Sequence, residues 1–106
     1  MGDELELSMM TAVFEARAGA EAELAAVLAR YVVVARNDNG CRNIDLVVST
    51  THGGRFTVIE KWGSPDAARA HLDGAAMTEM ARGAVPLLAT GPVIDLHDTI
   101  SAHDLA

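Results

Sequence analysis

The sequence is poor in large aromatic side chains and in cysteine, and both shortages limit what the chain can be. One Trp, one Tyr and two Phe occur among 106 residues, although apolar residues make up 50% of the chain. A chain of this length has room for one domain with a modest core. The single cysteine, Cys41, excludes a disulfide within the chain and fits a reducing compartment.

Positive charge is also scarce. Eight Lys and Arg stand against 15 Asp and Glu, which gives a net charge of -7. We find no basic stripe, and an acidic chain is repelled by phosphate backbones and anionic lipids, so we expect no nucleic-acid or membrane partner. No apolar run approaches the ~20 residues that span a bilayer, and Met1–Glu4 lacks a signal-peptide layout. We therefore expect a cytoplasmic protein.

Hydrophobic periodicity predicts the order strand, helix, two strands, helices, strand. The predicted strands cover residues 5–17, 44–51, 55–62 and 93–100, and the predicted helices cover 20–37, 65–73 and 75–82. The near-continuous apolar centre of the first strand suggests burial on both of its faces. Ser64-Pro65-Asp66 is a strong helix start, and residues 101–106 are expected to fray.

This order is that of the split β-α-β fold, with two β-α-β halves. It predicts a single α+β domain over residues 1–106, with a four-stranded antiparallel sheet and its helices on one face. The other face of the sheet is left bare, and a second subunit is the simplest cover for it. We therefore expect a homodimer.

Four segments of the sequence form a combined pattern: Ala16–Gly19 before a Glu-rich helix, Asn39–Cys41, Phe56–Trp62 with Ser64 and Ala67, and Ala70–Leu72. Together they resemble the antibiotic biosynthesis monooxygenase family. The resemblance covers roughly residues 8–98 and implies a ferredoxin-like subunit whose dimer forms an α+β barrel. Members of the family include cofactor-independent oxygenases of polycyclic phenols, quinol oxidases, heme-degrading enzymes, an isomerase and proteins with no known reaction, so the fold alone does not decide the activity.

His71 is the predicted catalytic residue. At about 100° per residue, it lies opposite Asp66, Arg69 and Asp73 on its helix, among small alanines. The imidazole should therefore face the sheet, where small neighbours leave space for a pocket. Histidine titrates near neutral pH, which suits a general base. The alternative is a core histidine hydrogen-bonded to a backbone carbonyl.

Four further residues are predicted to line a ligand cavity. By the family pattern, Trp62 walls the cavity or packs the helix, and core packing with a satisfied indole N–H is the alternative. Glu60 lies on the same strand face, and if buried it needs a partner, either an inter-subunit or Arg55-type ion pair or a catalytic contact. Met10 and Phe14 share one face of the first strand, where they form the cavity floor or plain core.

No metal or cofactor is predicted. The histidines other than His71 have no metal-site spacing, and Cys41 is interpreted as a small buried thiol. There is no Gly-rich phosphate loop for a nucleotide or flavin. Alignment with the heme-degrading branch of the family puts Ala12 and Ala81 where that branch uses Asn and a heme-ligating His, which disfavours heme degradation. His71 as a substitute ligand stays open.

The working hypothesis is a cofactor-independent monooxygenase that oxidises a small aromatic phenol or quinol with O2. His71 would serve as base or hydrogen-bond partner, and Arg36 or Arg55 would have to turn inward to stabilise the phenolate. One alternative is a dimer that binds a small apolar or aromatic molecule without transforming it. Another is an isomerase of a small oxygenated metabolite, for which Glu60 or Asp45 would supply a second proton carrier near His71.

Overall fold

The predicted split β-α-β architecture is confirmed by the computed structural model, which describes residues 6–101. Four strands form one antiparallel sheet in the order β2-β3-β1-β4. The elements are β1 (Ser8–Glu15), α1 (Glu21–Ala35), β2 (Cys41–Val48), β3 (Arg55–Trp62), α2 (Pro65–Leu72), α3 (Ala75–Ala84), a 3-10 turn (Val85–Leu87) and β4 (Val93–Asp98). No helix within residues 6–101 is long and apolar enough to cross a membrane.

The element boundaries differ from the predicted ones mainly in the strands. β1 is shorter than predicted, and β2 begins at Cys41, three residues before the predicted start, with an irregularity in its pairing between Cys41 and Asn43. β4 ends at Asp98 instead of residue 100. The predicted fraying of the C-terminal tail lies outside the described residues, apart from Ser101.

The prediction that β1 is buried on both faces is wrong for the single chain. Buried and half-buried residues alternate along the whole strand. Met10, Ala12 and Phe14 are buried beneath the helices, whereas Met9 and Val13 point to the opposite face and stay half-exposed. The reason is that all the helices pack on one face of the sheet, so an apolar residue on the other face has no layer to cover it.

The core lies between that inner sheet face and the helices. The helix α1 contributes an apolar stripe with helical spacing: Leu24, Leu28, Tyr31, Val32 and Ala35. Met10 and Phe14, both predicted to face inward, are fully buried in the same cluster. Burial of these side chains is the main source of stability, at roughly 25 cal/mol for each Å² of apolar surface removed from water.

The turn between α1 and β2 is packed tightly against α2. Gly40 has a φ of +86°, a conformation that glycine adopts without steric cost, and a Cβ at this position would lie 2.5 Å from Cβ of Ala67. The carbonyl of Gly40 accepts a hydrogen bond of 2.8 Å from the backbone N–H of Gly63, just before α2. The position of α2 is therefore coupled to the conformation of this turn.

Gly40→Ala should destabilise the protein far more than Gly19→Ala. Gly19 has nearly the same φ, +88°, but its added Cβ would meet no atom within 4 Å. We expect a loss of about 1–2 kcal/mol in the unfolding free energy for Gly19→Ala, from backbone strain alone. Overpacking against Ala67 should add about 1–3 kcal/mol for Gly40→Ala. Urea denaturation of both variants checks this, and equal losses would contradict the tight docking of the turn.

Candidate active site

Helix α2 directs His71 into the core, as its helical position predicted. Ser64 caps the helix by accepting a hydrogen bond of 3.1 Å from the N–H of Ala67, and Pro65 occupies the first turn, where its missing N–H costs nothing. The buried residues of α2 are Ala68 and His71. The small residues on this face let the helix approach the sheet closely, so the imidazole reaches residues of β3 and α1.

Both ring nitrogens of His71 are engaged. Nδ1 lies 2.6 Å from a carboxylate oxygen of Asp38, and Nε2 lies 2.6 Å from the hydroxyl of Tyr31. The indole of Trp62 stacks on the imidazole, with the ring centroids 4.4 Å apart. The space that was predicted for a pocket beside His71 is therefore filled by Trp62 and Tyr31, and a substrate has no free nitrogen of His71 to contact.

Glu60 is a fully buried carboxylate with three neighbours. The hydroxyl of Tyr31 donates a hydrogen bond to one of its oxygens. The indole N–H of Trp62 donates to the other oxygen at 2.9 Å, and Nε2 of His71 lies 3.5 Å from that oxygen. The suggested Arg55 partner is wrong: the guanidinium of Arg55 pairs with Glu15, which belongs to the opposite face of the sheet.

The buried acids of the site hold their protons tightly. Burial raises the pKa of Glu60 above its ordinary value, although the hydrogen bonds from Tyr31 and Trp62 act in the opposite direction. Burial, followed by the charge of Glu60, also raises the pKa of Tyr31. Burial likewise raises the pKa of the Cys41 thiol, which makes a thiolate nucleophile at this position unfavourable. Tyr31 therefore acts as a neutral hydrogen-bonding group.

Tyr31, Asp38, Glu60 and His71 form what we call the buried network, and its proton count allows two arrangements. The hydroxyl of Tyr31 has one hydrogen, yet its oxygen contacts both Glu60 and Nε2 of His71. In one arrangement, Nε2 carries the second proton and Glu60 is a carboxylate. In the other, Glu60 is a carboxylic acid and His71 is neutral. Both contain the same number of protons and the same net charge, so a proton can move between Glu60 and His71 across Tyr31.

Two members of the buried network, Tyr31 and Asp38, are not among the site residues predicted from the sequence. Periodicity alone places Tyr31 among the apolar positions of its helix, and Asp38 belongs to the segment 37–40 whose composition is typical of a helix end. The single tyrosine of the chain on an otherwise apolar stripe was the available clue, because a buried phenol needs a hydrogen-bond partner. Asp38 carried no such clue, since its contact with His71 depends on the turn that Gly40 closes.

Two apolar clefts adjoin this region. The first, the helix cleft, has a volume of about 230 Å³ between α1 and α3, and Val27, Arg30, Tyr31, Val34, Ala76 and Met80 are among its lining residues. The second, the sheet cleft, has a volume of about 260 Å³ between α3 and the sheet, and Phe14, Leu72, Met77, Met80, Ala81 and Ile94 are among its lining residues. Met80 lies between the two.

The predicted site residues are distributed unevenly around these clefts. Phe14 lines the sheet cleft. Met10, Glu60, Trp62 and His71 line neither the helix cleft nor the sheet cleft. Arg36, suggested as an inward cation, instead donates a hydrogen bond of 2.9 Å to the carbonyl of Ile44. Within residues 6–101, no three His, Cys, Asp or Glu side chains are grouped so as to hold a metal ion.

The fold and the site define a ferredoxin-like α+β protein whose helices enclose the buried network against one sheet face. The chain belongs to the antibiotic biosynthesis monooxygenase family, which matches residues 8–83. This match confirms the resemblance seen in the sequence. No curated protein matches the chain significantly.

Solved structures share the fold over almost their whole length. A candidate antibiotic biosynthesis monooxygenase from Caulobacter crescentus CB15 is 24% identical, with a TM-score of 0.80 over 92% of each chain. Rv0793 from Mycobacterium tuberculosis is 23% identical, with a TM-score of 0.82 over 91% of this chain and 97% of that one. A variant of SnoaB, a cofactor-independent oxygenase from Streptomyces nogalater, is 20% identical, with a TM-score of 0.80 over 92% of this chain and 96% of that one. These identities establish a common fold.

Glu60→Gln should be tolerated, whereas Glu60→Ala should not. A glutamine side chain resembles the protonated acid, so it can accept from Trp62 and donate to Tyr31. Alanine leaves the Trp62 indole N–H without an acceptor in the core and removes one of the two partners of the Tyr31 hydroxyl, which should cost about 1–3 kcal/mol of unfolding free energy.

Glu60→Gln and the parent protein should also differ in how their stability depends on pH. Because the pKa of Glu60 is raised in the folded state, its contribution to stability is full below the unfolded-state pKa and is lost as the pH rises through the folded-state pKa. Urea denaturation of Glu60→Gln and the parent between pH 4 and 8 should therefore show an advantage for glutamine that grows with pH. A constant loss of stability in Glu60→Gln at every pH would show that the core requires the carboxylate.

Proposed function

We propose that the protein is a cofactor-independent monooxygenase that oxidises a small aromatic phenol or quinol with O2. The observation that carries the proposal is that the helix cleft and the buried network share a residue, Tyr31. An apolar cleft beside a proton-transfer network suits a reaction that begins with loss of a phenolic proton. Family membership and the described activity of SnoaB support the same class of reaction.

The helix cleft suits a small phenol in shape and charge. Its walls include apolar side chains of Val27, Val34 and Met80, and its volume of about 230 Å³ is at the small end for ligand pockets. Arg30 and Arg82 also line the cleft. The Arg82 guanidinium pairs at 3.2 Å with Glu79, which lines the same cleft, so Arg30 is the group that supplies the positive charge that a phenolate needs. Neither Arg36 nor Arg55 provides that charge.

The proposed reaction balances without a metal, a flavin or an added reductant. A phenol with a free ring position loses its O–H proton, and the electron-rich anion reacts with O2 at a ring carbon to form a carbon–oxygen bond. The resulting hydroperoxide loses water as its O–O bond breaks, which leaves a quinone. Overall, the phenol and one O2 give a quinone and one H2O, so the substrate supplies all four electrons that reduce O2. The protein supplies orientation and charge stabilisation.

His71 takes part in this scheme through its partners, because both of its nitrogens are occupied. Trp62 fixes the plane of the imidazole by stacking and fixes Glu60 by its indole N–H. Phe14 and Met10 support the site from the inner sheet face, with Phe14 at the wall of the sheet cleft. In this proposal, the sequence-predicted residues therefore form the support of the reaction centre, and α1 supplies its substrate-facing wall.

Oxygen uptake by metal-free and flavin-free protein tests the proposal, with 1-naphthol, anthrone and a hydroquinone as substrates. Ala76→Leu and Ala81→Leu are matched variants, since both enlarge an alanine of α3, but Ala76 lines the helix cleft and Ala81 lines the sheet cleft. We expect Ala76→Leu to lower the rate at least tenfold and Ala81→Leu to leave it within twofold of the parent. The reverse pattern would move the substrate to the sheet cleft, and no uptake above the spontaneous rate would refute the oxygenase.

An isomerase is the second candidate, because the structure supplies the paired proton carriers that it needs. Glu60 lies 3.5 Å from Nε2 of His71 and communicates with it through Tyr31. Asp45, the other suggested carrier, is exposed and pairs with Ile59 on the outer sheet face. Exchange of a carbon-bound hydrogen of a hydroxyketone with solvent deuterium, without oxygen uptake, would favour the isomerase. Binding of a ligand without either reaction would favour a non-catalytic binding protein.

A homodimer formed through the outer sheet face completes the proposal. Val47, Thr57, Val13 and Val93 lie side by side across all four strands on this face. Val47 is 46% exposed and Val93 is 58% exposed in the single chain. A continuous row of this kind is favourable to bury against a second copy, and two-fold symmetry lets each subunit offer the same row.

Val13→Lys should dissociate the proposed dimer. Val13 lies in a central strand in the middle of the row, so the substitution would bury an unpaired ammonium group from each subunit. Ala22→Lys, on the exposed surface of α1, adds the same charge elsewhere. Sedimentation at micromolar concentration should give a dimer for the parent and for Ala22→Lys, and a monomer for Val13→Lys. A dimer in all three proteins would place the interface on another surface.

A further inference from the structure

We propose that Tyr31 is the catalytic residue that exchanges a proton with the bound substrate, and that Glu60 and His71 behind it hold that proton while Asp38 connects the network to solvent. This inference rests on the proposed function and assigns its proton-transfer path. In this proposal Tyr31 contacts the substrate, and His71 does not.

Tyr31 is only 5% exposed, but it is the member of the buried network that lines the helix cleft. The side chains of Glu60 and His71 are both 0% exposed, and Trp62 covers one face of the imidazole. Neither Glu60 nor His71 lines the helix cleft or the sheet cleft, whereas Tyr31 lines the helix cleft. A substrate in the helix cleft therefore has a contact surface on Tyr31, while the groups with stronger acid–base character lie directly behind it.

The Tyr31 oxygen can act as a proton relay, because it can accept one proton while it passes on the proton that it already holds. When the substrate hydroxyl gives its proton to this oxygen, the proton that Tyr31 already holds passes on to Glu60 or to Nε2 of His71, both of which contact the oxygen. Tyr31 is neutral before and after the transfer, so its raised pKa is no obstacle. In the later step, the reverse movement returns a proton to the peroxide oxygen that leaves as water.

Charge favours this direction of transfer. The Tyr31 hydroxyl contacts Glu60, and the charges of Glu60 and of Asp38, farther along the network, oppose negative charge on the Tyr31 oxygen. Taking up a proton therefore relieves repulsion inside the buried network. The negative charge moves to the substrate, in a cleft that Arg30 and Arg82 line.

Asp38 connects the buried network to solvent. Its side chain is 38% exposed, while the His71 side chain that it contacts is 0% exposed. A proton that reaches Nε2 of His71 can therefore be released from Nδ1 through Asp38. This separates the cleft end of the path, at Tyr31, from the solvent end, at Asp38. Asp38 is a positioning residue for His71 and contacts no substrate in this scheme.

The first measurement is the ionisation of 1-naphthol bound in oxygen-free buffer at pH 7, followed by the absorbance of its phenolate. Tyr31→Phe keeps the ring but removes the relay oxygen, so we expect the ionised fraction to fall at least tenfold, with the affinity for 1-naphthol unchanged within threefold. Asp38→Asn still accepts a hydrogen bond from Nδ1, so we expect ionisation within twofold of the parent but aerobic turnover about tenfold slower.

Replacement of tyrosine by 3-fluorotyrosine provides a test that does not depend on the stability of Tyr31→Phe. Tyr31 is the single tyrosine of the chain, so biosynthetic labelling changes this one residue and gives one fluorine resonance. We expect 1-naphthol to shift that resonance in the labelled protein and in labelled Ala81→Leu, but not in labelled Ala76→Leu. An unshifted resonance in the labelled parent at a saturating concentration would overturn the contact.

The outcomes separate this inference from the proposed function. Oxygen uptake that persists unchanged in Tyr31→Phe would refute the relay and leave the oxygenase standing. Ionisation that depends on Tyr31 without oxygen uptake would support the relay and refute the oxygenase. The absence of both ionisation and uptake in the parent protein would overturn both proposals.

Discussion

The buried carboxylate of Glu60 is the constraint on which the rest of the site depends. A carboxyl group in the core is costly to bury unless it has hydrogen-bond or ion-pair partners, and each element around Glu60 supplies one such partner. Its own strand contributes Trp62, α1 contributes Tyr31, and α2 brings His71 near. Moving any of these elements by a few ångströms would leave a polar group without a partner, so the network fixes the position of both helices on the sheet.

The turn after α1 extends this constraint to the surface. Gly40 lets the chain pass close to Ala67, and the same turn places Asp38 against the outer nitrogen of His71. The site is therefore buried at Glu60 and solvent-exposed at Asp38, and the imidazole of His71 lies between the two. In the proposed relay, a proton can therefore leave the core through the contact between His71 and Asp38 without opening of the fold.

The two clefts share α3 but differ in their relation to this chemistry. The helix cleft reaches the buried network through Tyr31, and the sheet cleft reaches the inner sheet face through Phe14. Met80 lies between them, and a methionine can change rotamer at small cost. The family match identifies the class of protein. Within that class, an oxygenase, an isomerase and a binding protein differ in which cleft holds the ligand and in whether the ligand exchanges a proton with the buried network.

The architecture and the direction of most side chains follow from local patterns in the amino-acid sequence. Period-2 and period-3.6 patterns predicted the order of the strands and helices, and helical geometry placed His71 on the inner side of α2. Strand alternation likewise placed Glu60 and Trp62 on one face. These features depend on residues near one another in the chain, which is the range over which propensity and periodicity act. The burial of the second face of β1 was mispredicted, because it depends on whether a further layer is present.

The side-chain contacts within the site, in contrast, depend on tertiary packing. Tyr31 is 29 residues from Glu60 and 40 from His71, and Asp38 is 33 from His71. A helical apolar stripe accepts a tyrosine whether or not its hydroxyl finds a carboxylate, and a helix stop signal looks the same wherever its aspartate points. Such pairings are set by how α1, α2 and the sheet pack together, and no local pattern in a single sequence records the distance between groups so far apart in the chain.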